Sequence, residues 1–244
     1  TGRLASRNPQ VLKDTPEGRQ INIRWNTPIL PGESSLIKEL NALGYVTGMS
    51  GKWHNGSPGN IIGEWEKHAP SVYAEGIGPE SDPGDLAVIR KIRSAHDALV
   101  HHLENAIGFD WAKTVSYENK ERWTVPEELQ VHNLEWITQG ALDFLEQNHE
   151  QPFFLYVSLP VPHAHYYEGW EKDNVLATPR GFLSDIPESQ PPRESIFERL
   201  EQLGIDRRSS MGTWIDDSVG AILKKLEGYG LEENTIVIFT SDHQ

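Results

Sequence analysis

The 244 residues carry 22 Lys and Arg against 36 Asp and Glu, a formal charge of −14. This balance excludes a general binder of nucleic acid, so any anionic ligand must be caught by a local positive site. The length suits one large domain, the lack of Cys excludes disulfide and thiolate chemistry within this span, and no apolar run is long enough to cross a bilayer.

In chain order, Leu36, Ile37, Leu40 and Leu43 recur at helical spacing, with Ser34 or Ser35 as cap and Gly44 as a left-handed stop. The strand-like Tyr45-Val46-Thr47 then leads to a loop bearing Gly51-Lys52-Trp53-His54. Residues 55–85 are rich in Gly, Pro, Trp and acids, and read as a long loop: a binding loop near a site or a solvated insertion. Val88, Ile89, Ile92, Ala95 and Leu99 stripe a helix over Leu86 to Leu103. His101 and His102 follow it, pointing apart around the helix, and read as partly exposed surface rather than a metal pair.

Leu134, Ile137, Ala141, Phe144 and Leu145 form an amphipathic helix, Pro152 breaks the chain, and Phe153 to Val157 reads as a buried parallel strand reached by a crossover. Its exit carries Val161-Pro162-His163-Ala164-His165, where Pro162 stiffens the backbone ahead of His163. Residues 166–208 show no regular pattern and read as an irregular rim, with Arg180, Arg193, Arg207 and Arg208 as solvated surface. Met211, Ile215, Val219, Ile222, Leu223 and Leu226 line a last helix that Gly230 ends, and Ile236 to Phe239 reads as one more buried strand with Asp242 and His243 at its end. This alternation predicts an α/β fold with a mostly parallel central sheet and helices on both faces.

Three motifs thus sit at strand ends, where ligand sites form in open α/β sheets. Lys52 and His54 leave the same face if their segment stays extended, and an ammonium beside an imidazole suits a tetrahedral oxyanion. Asp242 and His243 could be metal ligands, an acid–base pair, or neither; the carboxylate suits a hard cation such as calcium, the imidazole a transition metal.

Taken together, Gly51-Lys52-Trp53-His54, Val161-Pro162-His163 and Thr240-Ser241-Asp242-His243 resemble a sulfatase of the formylglycine type, within the alkaline phosphatase superfamily. Thr1-Gly2-Arg3 resembles the end of that family's signature, which begins with a Cys or Ser followed by x-Pro-Ser-Arg. The resemblance implies that 1–244 is a partial catalytic domain, truncated at both ends and lacking its nucleophile, so that the span alone is expected to be inactive. Gln244 stands where the family carries Gly, and His165 where it carries a second Pro.

The same resemblance implies roles. Lys52 would bind a sulfate oxygen, His54 would hold the formylglycine hydroxyl and take its proton, and His163 would contact sulfate and the leaving oxygen. His165 would touch substrate, and Asp242 with His243 would complete a calcium site. The implied partners are a sulfated small molecule or glycan and, for the full-length protein, a formylglycine-generating enzyme; the implied location is periplasmic or secreted. Trp53, Trp65 and Tyr73 are candidates to stack on sugar rings, which favours carbohydrate sulfate esters. The alternatives are a phosphodiesterase or phosphonate hydrolase of the same superfamily, and a non-catalytic module that binds sulfated glycans.

Overall fold

Three parallel strands in the order β2-β1-β3 carry the fold: β1 is Val46–Trp53, β2 Trp111–Tyr117 and β3 Phe153–Ser158. In the computed structural model the described residues are 29, 34–55, 73–163 and 169–241. The architecture is α/β, as the alternation of helical and strand patterns predicts.

Helices cover both faces because neighbouring strand residues point opposite ways. On one face Met49, Ala112 and Val115 pack with Ile37 of α1 (Leu36–Ala42) and Leu99 of α2 (Leu86–His102), joined by Leu103 and Ile107 of the π turn that extends α2. On the other, Trp111 packs with Phe144 and Leu145 of α3 (Leu134–Asn148), and α5 (Ser210–Gly228) adds Leu226 behind them. Gly140 permits the close approach of α3: a Cβ there would lie 1.7 Å from Thr114 Oγ1. The helix starts follow capping chemistry, with the side chains of Ser35, Asp85 and Asn133 accepting from backbone N–H groups in the first turns of α1, α2 and α3.

Several sequence expectations need correction. β1 runs on to Trp53, so Lys52 lies in the strand rather than in a loop beyond it. β3 is an edge strand of half-buried residues, with Tyr156 43% exposed, because only β1 pairs with it among the described residues. His101 is exposed, but His102 is buried on the inward face of α2. Residues 169–208 hold a short hairpin, β4 (Ala177–Thr178) with β5 (Gly181–Phe182), and a helix, α4 (Glu194–Leu203), so the stretch is partly regular. Ile236 to Phe239 is neither buried nor in the sheet; Ile236 is 90% exposed, and no described strand pairs with the segment.

Arg193 is not solvated surface either. Its guanidinium grips Glu135 through two 2.7 Å contacts, lies over the Trp214 ring and reaches the Asp173 carbonyl. Trp214 Nε1 donates to the same carboxylate at 3.0 Å. This buried pair joins α3, α5 and the segment before α4, and its remaining hydrogen-bonding capacity is used by neighbours, as a buried ion pair requires.

Candidate active site

The strand ends of the sheet meet at one edge. Gly51 has φ +102, and a Cβ there would lie 2.1 Å from the Ser158 carbonyl oxygen, so only glycine lets β1 pass this close to the end of β3. The register between β1 and β2 shifts at this point, which sets Lys52 opposite Ser116 and Trp53 opposite Tyr117. The two residues after β2, Glu118 and Asn119, therefore stand beside Lys52 and His54.

Lys52 Nζ donates to Asn119 Oδ1 at 2.5 Å. On its other side the Asn119 amide nitrogen lies 3.4 Å from His163 Nε2. His163 comes from the turn after β3, where the Val161–Pro162 peptide is cis and His163 is exposed. One amide thus joins side chains delivered by the ends of β1 and β3.

One residue earlier in the turn, Glu118 Oε1 lies 3.9 Å from His54 Nε2. Glu118 is 3% exposed, and Tyr73 Oη donates to its other carboxylate oxygen at 3.4 Å. Arg122 Nε stands 4.0 Å from that same oxygen. The Glu118 backbone occupies the left-handed region at φ +50, costly for a residue with a Cβ, and such outliers cluster at functional sites.

His132, just before α3, belongs to the same neighbourhood. Burial, with smaller contributions from Lys120, Lys52 and His163, holds its imidazole down to about 3. It is neutral at physiological pH, and its Nδ1 is buried with no hydrogen-bond partner among the described residues. In a chain of net charge −14, Lys52 and Lys120 bring positive charge to this edge, beside the Glu118 carboxylate.

The sequence-derived candidates divide as follows. Lys52 and His163 are joined through Asn119, and His54 meets the adjacent Glu118. His165, Asp242 and His243 lie outside the described residues, as do Trp65 and Thr1-Gly2-Arg3. Trp53 is buried edge-on against Phe109, which removes it as a sugar platform, and Tyr73 is half-buried beside Tyr117. Among the described residues, no group of three or more His, Asp or Glu is placed to hold a metal ion.

Glu118, Asn119 and His132 were not legible as site residues. A signal for two of them existed: Glu118 and Asn119 follow a strand just as His54 and His163 do, and β2 lies beside β1.

The model of the sulfatase family matches residues 4–244. The chain belongs to the sulfatase family. Among curated sulfatases it is similar to an ulvan-active sulfatase of Formosa agariphila, 25% identical over 224 residues that cover 89% of this chain and 37% of that protein. An arylsulfatase of Hemicentrotus pulcherrimus is 27% identical over 227 residues, 92% of this chain and 34% of its own length. An N-acetylgalactosamine-6-sulfatase of Mus musculus is 25% identical over 268 residues, 100% of this chain and 39% of its own length. The chain thus spans between about a third and two fifths of these relatives.

Proposed function

We propose that this member of the sulfatase family hydrolyses sulfate esters at the edge where the ends of β1, β2 and β3 meet. One observation carries the reading: Lys52 and His163, from different strands, share the Asn119 amide while His54 stands against Glu118. A fixed ammonium and two imidazoles suit the tetrahedral sulfate and the charge that develops on its oxygens as the ester bond breaks.

In this reading Lys52 binds a sulfate oxygen and offsets its growing charge. His163 contacts the departing alcohol oxygen and donates a hydrogen bond to it. His54, held by Glu118, would hold a hydroxyl of the hydrated nucleophile and accept the proton of the second, unesterified hydroxyl as sulfate leaves. The nucleophile would be a formylglycine made from a Cys or Ser outside residues 1–244, and calcium at Asp242 and His243 would polarise the ester. Both rest on the family resemblance.

A carbohydrate sulfate is the proposed substrate class, supported by relatives named for N-acetylgalactosamine-6-sulfate chemistry in Mus musculus and Bacteroides thetaiotaomicron. The test is to express the protein with the sequence that flanks residues 1–244 in its gene and assay it on an aryl sulfate, a 6-sulfated N-acetylgalactosamine, an aryl phosphate diester and a phosphonate ester. Release of sulfate that requires Lys52 supports the reading. Turnover confined to the phosphorus esters, or sulfate-glycan binding with no turnover, contradicts it.

A further inference from the structure

We propose that Asn119 is a positioning residue that decides which ring nitrogen of His163 carries the proton, and that Lys52 sets the direction of the Asn119 amide. The two ends of an amide differ in one respect that matters here: the oxygen only accepts, and the nitrogen only donates. A lysine ammonium has three donors and no acceptor, so the amide atom 2.5 Å from Lys52 Nζ must be oxygen.

With Oδ1 committed to Lys52, the NH2 group faces His163 Nε2 at 3.4 Å. An NH2 donor needs a lone pair opposite it, so Nε2 is the bare nitrogen and a neutral ring carries its hydrogen on Nδ1. The contact is long, so its effect is to select between tautomers that differ little in energy rather than to bind tightly. Lys52 thereby reaches His163 without touching it.

The turn that holds Asn119 is built for this placement. Glu118 bends the chain at φ +50 immediately after β2, and its own N–H is tied to the Trp53 carbonyl at 3.1 Å, anchoring the turn to the end of β1. The Asn119 backbone therefore cannot drift from the end of β1 without breaking a contact between strands.

The consequence for catalysis rests on the sulfate-ester reading: the Nδ1–H edge of His163 is the edge that would donate to the departing oxygen. The tautomer itself does not rest on that reading. The test uses residues 1–244 labelled with 15N at histidine, with ring nitrogens read by long-range 1H–15N correlation at a pH where His163 is neutral. His163 is expected mainly as the Nδ1–H form. Asn119→Asp, which offers only acceptors, is expected to exchange the shifts of the two ring nitrogens, moving the hydrogen to Nε2. Lys52→Met, which releases the amide, is expected to give averaged shifts from both forms.

An Nε2–H ring in the unsubstituted protein would overturn the proposal, and so would an Asn119→Asp spectrum unchanged at His163. If Lys52→Met leaves the Nδ1–H form intact, the role given to Lys52 is wrong. Adding inorganic sulfate separates this from the functional reading: an unperturbed site counts against sulfate chemistry, while the tautomer pattern still decides the role of Asn119.

Discussion

Lys52 and His163 are delivered by different strands, yet each meets one end of the same side chain, Asn119, at 2.5 Å and 3.4 Å. The first fixes a charge and the second a ring, and both face the edge of the sheet where parallel α/β folds place their ligands. Substitution should reveal this division of labour in the protein expressed with its native flanking sequence.

Lys52→Ala and His163→Ala are each expected to lower kcat on a sulfate ester by about a hundredfold or more, a loss on the order of 3 kcal/mol, because each removes a contact aimed at the transition state. His165→Ala is expected to act mainly on KM. Steady-state kinetics check both. An indispensable His165 beside a replaceable His163 would mean the wrong histidine of the turn has been chosen.

Glu118 supports His54 without touching substrate in this account. Glu118→Gln keeps size and backbone but loses the charge facing the imidazole 3.9 Å away, and is expected to cost roughly tenfold to a hundredfold in kcat, comparable to the loss of a partner that orients a metal-bound histidine. Activity unchanged in Glu118→Gln would show that the contact orients nothing.

The Glu135–Arg193 pair predicts a stability effect independent of catalysis. Removing one member leaves the other charge buried without its partner, so Arg193→Met is expected to destabilise the fold by about 3–5 kcal/mol. Replacing Glu135 and Arg193 together by Leu and Met should cost less than the single change. Urea unfolding of the two variants against the unsubstituted protein measures this; a double variant no better than the single one would place the energy in packing around Trp214 instead.

Three buried histidines set a pH dependence. Burial is the main cause in each: His132 is held down to about 3, and His96 and His102 to about 4. Unfolding restores an ordinary value near 6.5, so as pH falls from there toward 4 the unfolded chain binds protons that the folded chain refuses. Stability therefore declines through that window by up to about 1.4 kcal/mol per pH unit for each histidine, and none of the three contributes to the slope above it. His102→Leu should flatten the decline in denaturation midpoints between pH 6.5 and 4. A decline of undiminished steepness would assign it to other groups.

How far the sequence could be read depended on whether a feature was local. The cap at Ser35, the stop at Gly44 and the crossover from α3 to β3 follow from neighbouring residues, and all appear in the structure. α4 was missed although Ile196 and Leu200 stand four apart on its buried side, because Pro, Arg and acids around them obscured the period. Burial was harder to judge: Phe153 to Val157 and Ile236 to Phe239 have similar apolar patterns, yet among the described residues one is a sheet edge and the other is exposed, since burial depends on what lies alongside. In the site, Lys52, His54 and His163 were legible from residue type and strand position. Glu118 and Asn119 were not, because their importance comes from a left-handed bend and a strand neighbour that no local pattern reveals.

The claim that these strand ends form a sulfate site is tested most directly by a crystal structure of the protein with its native flanking sequence, soaked with sulfate or vanadate. The account predicts a tetrahedral anion within hydrogen-bond distance of Lys52 Nζ and of the His163 ring, with His54 facing the same pocket. An anion bound elsewhere, or Lys52 and His163 opening onto different faces of the sheet, would contradict it.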